Sequence, residues 1–309
     1  MKEKFEFLST DGKTVLQGYK WIPDGGAVKA VVQITHGMQE FIDRYEGFAA
    51  YLAEHGYLTA GYDQLGHGAS AETPGDWGYI GKDPCSLLLG DMHRARELLR
   101  GEYPEIPYFM LGHSMGSYEL RCYIAEHGDG LAGAAIVGTG FVPGKDTKKA
   151  RRVVKAMAAV RGWRFRSRML QKMTFAGPYR QFDLTGENPE NSWLTGDSEI
   201  VRHYYSDPRC TFLFTLNGYL GLFDAVSGSC NLESVQRVSA ELPVLIASGE
   251  DDPVGDMGDG VLQVYRMFRD HGMKDLTCHI YDGDHHEILN ETDRDKVWAD
   301  FLCWFDRHC

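Results

Sequence analysis

Tyr108-Phe109-Met110-Leu111-Gly112-His113-Ser114-Met115-Gly116-Ser117 is the stretch whose reading decides the fold. An apolar run, Tyr108–Leu111, leads into G-x-S-x-G at 112–116, and a helical apolar pattern follows over Ser117–His127. Strand, sharp turn and helix are the context that a nucleophile elbow requires. Glycines two before and two after Ser114 leave room for a turn that any Cβ would obstruct. The Ser114 hydroxyl then projects from the sheet edge near the positive end of the next helix, and the Met115 amide can point at a developing oxyanion.

Outward from this stretch the same alternation repeats. Residues 30–35, 58–63, 107–112, 132–138, 244–249 and 276–281 are short, apolar and β-branched, and read as strands. Between them Phe48–His55, Leu87–Tyr103, Ser117–His127 and Gly260–His271 carry apolar residues at helical spacing, the last with Val261, Leu262, Tyr265 and Phe268 on one face. Phe5–Ser9 and Leu16–Trp21 read as an antiparallel hairpin at the edge, and Val297, Trp298, Phe301, Leu302 and Phe305 mark a closing helix. The expectation is an α/β fold with a mostly parallel eight-stranded sheet and helices on both faces. About a hundred residues separate the strands near Gly138 and Val244, too many for a loop. They read as an inserted helical cap over 141–235 on a core of 1–140 and 236–309. Its first helix is expected to have Asp146 as N-cap and Ala150, Val153, Val154, Met157 and Val160 on one face.

A serine hydroxyl needs a base, and the base needs an orienting acid. Gly249-Glu250-Asp251-Asp252-Pro253 follows one strand, and Gly283-Asp284-His285-His286-Glu287 follows the next. Ser, Asp and His thus stand in the chain order that goes with such an elbow, each at the carboxyl end of a strand, where open α/β sheets collect their catalytic groups. Asp251 against Asp252, and His285 against His286, stay open on spacing alone. His36-Gly37-Met38-Gln39-Glu40 follows another strand, and the small Gly37 lets the Met38 amide serve as a second oxyanion donor. His67, between Gly66 and Gly68, reads as part of a structural turn.

The sequence is similar to the monoacylglycerol lipase and lysophospholipase branch of the α/β-hydrolases, within the serine aminopeptidase-like superfamily. The resemblance rests on HGMQE at 36–40, DQLGHGAS at 63–70, GHSMGS at 112–117, SGEDDPV at 248–254, YDGDHHEILNE at 281–291 and, for the cap, SWLTGDSEIVRHYYSDPRC at 192–210. It implies Ser114 as nucleophile, Asp252 as acid, His286 as base, and the amides of Met38 and Met115 as the oxyanion hole. The implied activity is hydrolysis of lipid-type esters, monoacylglycerol or lysophospholipid, through an acyl-enzyme, with substrate-binding residues in the cap. Short-chain, aromatic-acyl or thioester hydrolysis, peptidase activity and a non-catalytic binding role are the alternatives. Two positions depart from the family pattern: Gln39 stands where a glycine is usual, and Asp284 where a small residue is.

Composition narrows the partners. The chain has 309 residues and a net charge of −12, a poor profile for binding nucleic acid. The charge is uneven: residues 1–139 sum to −8, residues 140–182 to +11 with Asp146 the single acid, and residues 183–309 to −15. Lys148, Lys149, Arg151, Arg152, Arg164, Arg166 and Arg168, interleaved with apolar residues, read either as a solvated face or as a contact for an anionic membrane. Seven widely spaced cysteines without a C-x-x-C read as free buried thiols of a cytoplasmic protein. Met1–Glu6 lacks the apolar core of a signal peptide, so export is not expected. No cofactor or metal is expected: GTGFVPGK at 138–145 misses the phosphate-loop spacing, and Asn290 replaces the second histidine of H-E-x-x-H.

Overall fold

The computed structural model describes residues 1–25 and 27–309. Its strands are β1 (Lys2–Leu8), β2 (Val15–Trp21), β3 (Ala30–Thr35), β4 (Tyr57–Tyr62), β5 (Tyr108–His113), β6 (Gly133–Val137), β7 (Val244–Gly249) and β8 (Leu276–Tyr281). They form one sheet in the order β1-β2-β4-β3-β5-β6-β7-β8, parallel from β4 to β8 and antiparallel at the β1 and β2 edge. All eight strands lie where the apolar runs predict them, to within three residues at either end.

The pleat explains why the central strands read as unbroken apolar runs: both faces are covered. Val31, Leu58, Met110, Ala134, Ile136 and Ile246 point to one face. Val32, Ile34, Leu111, Val137, Leu245 and Ala247 point to the other. The helices α1 (Glu46–Glu54), α2 (Pro84–Glu102) and α3 (Met115–His127) fill the first half of the crossovers.

Between β6 and β7 no strand intervenes; the segment contains α4 (Gly144–Arg161), α5 (Arg168–Thr174), α6 (Ser198–Ser206), α7 (Pro208–Thr211), α8 (Leu216–Ser229) and α9 (Leu232–Arg237). The chain then returns to the sheet and finishes with α10 (Asp259–His271) and α11 (Arg294–Arg307). Among the described residues no helix is long and apolar enough to cross a membrane.

Several local expectations need correction. Pro143, not Asp146, holds the cap position of α4, with ψ 137° outside the helical range, and Asp146 lies inside the first turn, where its charge still favours the helix dipole. The buried stripe of α4 runs through Thr147, Val154 and Ala158. At about 100° per residue this is rotated from the expected face, so Ala150, Val153 and Met157 are half-buried, while Val160 is 82% exposed. On α10 the buried line is Val261, Val264, Met267 and Phe268, with Leu262 and Tyr265 on its flank. Of the cysteines, which form no disulfide, Cys122 and Cys210 are buried, Cys303 and Cys309 are exposed, and the other three are half-buried.

The topology also fixes where chemistry can occur. β4 pairs on one side of β3 and β5 on the other, so the winding reverses at β3. The crevice at the carboxyl ends of β3 and β5 is the place where ligands of such sheets sit.

Candidate active site

Ser114 follows β5 directly and has φ 54° and ψ −119°, a strained backbone that its neighbours must hold in place. Packing explains the two glycines. A Cβ on Gly116 would lie 2.7 Å from the carbonyl oxygen of His36, and one on Gly112 would lie 2.9 Å from Leu120 Cβ. The first turn of α3 therefore rests on the end of β3 with nothing between them. Gly37 comes equally close, since a Cβ there would sit 2.7 Å from Ser114 Cβ. The serine amide donates to Val137 at 3.0 Å. The amides of Met38 and Met115 donate to no backbone carbonyl among the described residues.

Asp252 and His286 meet at the ends of β7 and β8. His286 Nδ1 lies 3.0 Å from each carboxylate oxygen of Asp252. Ser248 Oγ and the Val254 amide donate to the same carboxylate, both at 2.8 Å. Burial opposes ionisation of Asp252, but the charge and hydrogen bond of His286 and these two donors outweigh it and hold its pKa below the usual carboxylate range. The neighbouring residues turn elsewhere: Asp251 is half-buried, and His285 Nδ1 bonds Glu291 at 2.9 Å. Gly138 at the end of β6 makes room for this histidine: a Cβ there would lie 3.0 Å from His286 Cε1.

The loop after β3 is held by buried polar groups. Glu40 Oε1 accepts from the Gly37 amide, from Tyr45 at 3.0 Å and from His113 Nδ1 at 3.0 Å. Its other oxygen accepts from Arg44 at 3.1 Å, and Arg44 forms a two-pronged pair with Glu287, 2.6 Å on each prong. Gln39 has φ 60°, the left-handed region that suits glycine, which gives its departure from the family pattern a backbone meaning. Its side-chain amide donates to the carbonyl of Phe212 in the inserted segment. Gln64 clamps His36, donating to Nε2 at 3.0 Å and to the carbonyl at 2.8 Å. His67 is buried in its turn, with Gly66 and Gly68 at φ 73° and 45°; burial and nearby His36 push its pKa down to about 3. Asp284, the other departure, has its pKa pushed up to about 7 by burial and by Glu291 and Asp293.

Trp193, Glu40 and His113 are the site residues that sequence reasoning missed. The Trp193 ring stacks on His286, with centroids 5.1 Å apart and planes at 29°, while His113 covers His286 at 4.6 Å and 41°. The backbone of Trp193 also accepts from the His286 amide at 3.3 Å, and Leu194 accepts from Glu287 at 2.7 Å. The signals were present in SWLT at 192–195 and in Glu40 of HGMQE, as residues with no stated task. Beyond Trp193 lies a cavity of about 600 Å³ lined by Gln39, Lys172, Phe175, Trp193, Tyr204 and Thr211 among others.

Comparison with known proteins places this site in a family. The family described as serine aminopeptidase, S33 (Hydrolase_4) matches residues 26–293. A monoacylglycerol lipase of Mycolicibacterium smegmatis is 24% identical over 290 residues, covering 93% of this chain and 91% of that protein. A thermostable carboxyl esterase from Bacillus coagulans, solved with glycerol, superposes with a TM-score of 0.89 at 27% identity over 99% of this chain and 98% of its own. A lipase in an open form gives a TM-score of 0.90 at 26% identity, over 100% of this chain and 99% of its own. On the extent of the family match and the agreement of fold, the chain belongs to the serine aminopeptidase S33 family of α/β-hydrolases.

Proposed function

We propose that the protein is a serine hydrolase of lipid-type carboxylic esters, with monoacylglycerol as the leading substrate and lysophospholipid as the second. The observation that carries this reading is the buried Asp252–His286 pair beside the Ser114 elbow, whose His113 ring lies 4.6 Å from that of His286, on a chain matched over 93% of its length by a monoacylglycerol lipase. Ser114 attacks the ester carbonyl while His286, oriented by Asp252, takes its proton. The amides of Met38 and Met115 stabilise the oxyanion. His286 returns the proton to the leaving alcohol, and water then repeats the sequence on the acyl-enzyme.

In this reading residues 141–235 form a cap on the core of 1–140 and 236–309, and the cavity beside Gln39, Phe175 and Trp193 takes part of the apolar substrate. The same segment is proposed to meet an anionic membrane surface. In support, Val160, Trp163, Met169 and Met173 are exposed among the cations of the +11 stretch, the pairing that interfacial helices use. The unpaired cysteines support work in a reducing compartment, the cytoplasm.

Labelling with a fluorophosphonate probe, mapped to its peptide, tests the mechanism: an adduct on Ser114 is expected, and none would overturn it. Ser114→Ala should lose turnover by on the order of 10⁴-fold or more with an unchanged circular dichroism spectrum. A panel of monoacylglycerols, lysophospholipids, aryl esters and aminoacyl amides tests the substrate. Preference for the amides would replace the lipase reading with a peptidase.

A further inference from the structure

His113 is the second residue of the elbow pentapeptide and has no part in the reaction proposed above. Its ring is buried, 4% exposed, and each nitrogen faces an acceptor. Nδ1 lies 3.0 Å from Glu40 Oε1, and Nε2 lies 3.2 Å from the carbonyl oxygen of His286. A neutral imidazole has one N–H and could serve only one of them. At the other, two lone pairs would face each other in a buried site, an arrangement that folded proteins avoid.

Neither acceptor can supply the missing proton. A backbone carbonyl has none. Glu40 already accepts at Oε1 from Tyr45 and the Gly37 amide and at Oε2 from Arg44, the surroundings of an ionised carboxylate. His36 shows the contrast: its Nε2 accepts from Gln64 and its Nδ1 faces the Gly37 carbonyl, so one ring proton satisfies it.

We propose that His113 is held as a doubly protonated imidazolium, and that it is the positioning residue tying the carboxylate of Glu40 to the backbone of His286. Charge balance agrees. Glu40 from the loop after β3 and Glu287 from the base loop bring two negative charges, and Arg44 brings one positive. His113 completes the balance; Tyr45 and His36 also face this group, and Asp252 lies across the ring of His286. Burial alone would lower the His113 pKa, but the hydrogen bond and attraction of Glu40, with Glu287 behind it, raise it above the ordinary histidine value.

The imidazolium does two things. Through Glu40 and the Gly37 amide it joins the oxyanion loop to the base loop as one rigid unit. Its second N–H fixes the carbonyl of His286, and its ring covers that of His286 with centroids 4.6 Å apart. The role in catalysis rests on the ester-hydrolase reading; the protonation state does not.

Two measurements test the proposal. In the full chain labelled with ¹⁵N-histidine, the His113 ring, assigned through its own backbone, should show two N–H nitrogens and no titration step between about pH 6 and 8.5. One bare nitrogen, or a titration midpoint inside that range, overturns the proposal, and no variant needs to fold. In His113→Gln, which cannot donate to both acceptors from one ring, kcat should fall by roughly tenfold while KM stays within about threefold. A folded His113→Gln protein with unchanged kcat overturns the positioning role. A protein inactive on every ester but with both His113 nitrogens protonated would remove the ester reading and leave this one standing.

Discussion

The Asp252 carboxylate is fully buried and accepts from His286, Ser248 and Val254, whereas Asp251 beside it is half-buried and bonds Asp284 through its backbone alone. Two adjacent acids cannot be told apart by spacing, because which one turns inward depends on the tight turn after β7. Asp252→Asn is expected to lower kcat by on the order of 10⁴-fold, since an amide no longer favours the required histidine tautomer. Asp251→Asn should leave kcat within a few-fold. Steady-state kinetics on the two purified variants check this, and a larger loss at Asp251 would reverse the assignment. Gln39 illustrates another limit of sequence reading. Its substitution for glycine was visible, but its left-handed backbone and its bond to Phe212 come from the packing of a segment 173 residues away.

Among the elements, α3 bears the heaviest demands. It follows the strained serine, rests on the end of β3 and buries Glu119 completely. Among the described residues neither Glu119 oxygen meets a donor in full hydrogen-bond geometry, although the Gln64 side chain lies near enough to favour its charged form, and Gln64 Oε1 is also without a partner. Burial drives the Glu119 pKa far above the ordinary value and outweighs the Gln64 side chain, which lowers it. The folded protein thus holds a proton that the unfolded chain releases above about pH 4.3. The stability from this group is complete below that pH and is lost as pH rises toward the folded pKa. Glu119→Gln keeps the size of the side chain and removes the linkage. Its Tm relative to wild type should climb steadily between pH 5 and 8, and parallel Tm–pH curves would refute a neutral Glu119. Strands and core helices were legible because both sheet faces are covered and the periods of 2 and 3.6 persist. The start of α4 was not, because Pro143 holds the cap by its own fixed backbone and Asp146 is one of several residues that suit a first turn.

For the whole molecule the sign of charge divides along the chain, with +11 over 140–182 against negative sums on both sides. Exposed Lys148, Lys149 and Arg152 lie on α4, ahead of exposed Val160 and Trp163. Binding to vesicles containing phosphatidylserine should weaken with added salt. With about 1 kcal/mol for each cation near such a surface, neutralising these three with glutamine should reduce the affinity by roughly a hundredfold. Vesicle sedimentation checks both effects, and salt-independent binding would remove the electrostatic account.

The inserted segment is stitched to the base loop along its length. Trp193 and Leu194 accept from the amides of His286 and Glu287, Thr195 donates to Asn290, Gly196 to Glu291, and Arg294 reaches back to Asp197. Residues 193–197 thus support the loop of the proposed base, although in sequence they lie about ninety residues before it. A chimera built to retune selectivity should therefore splice outside this stretch. Swapping 141–235 in one piece would exchange the support of His286 together with the surface proposed to hold the substrate.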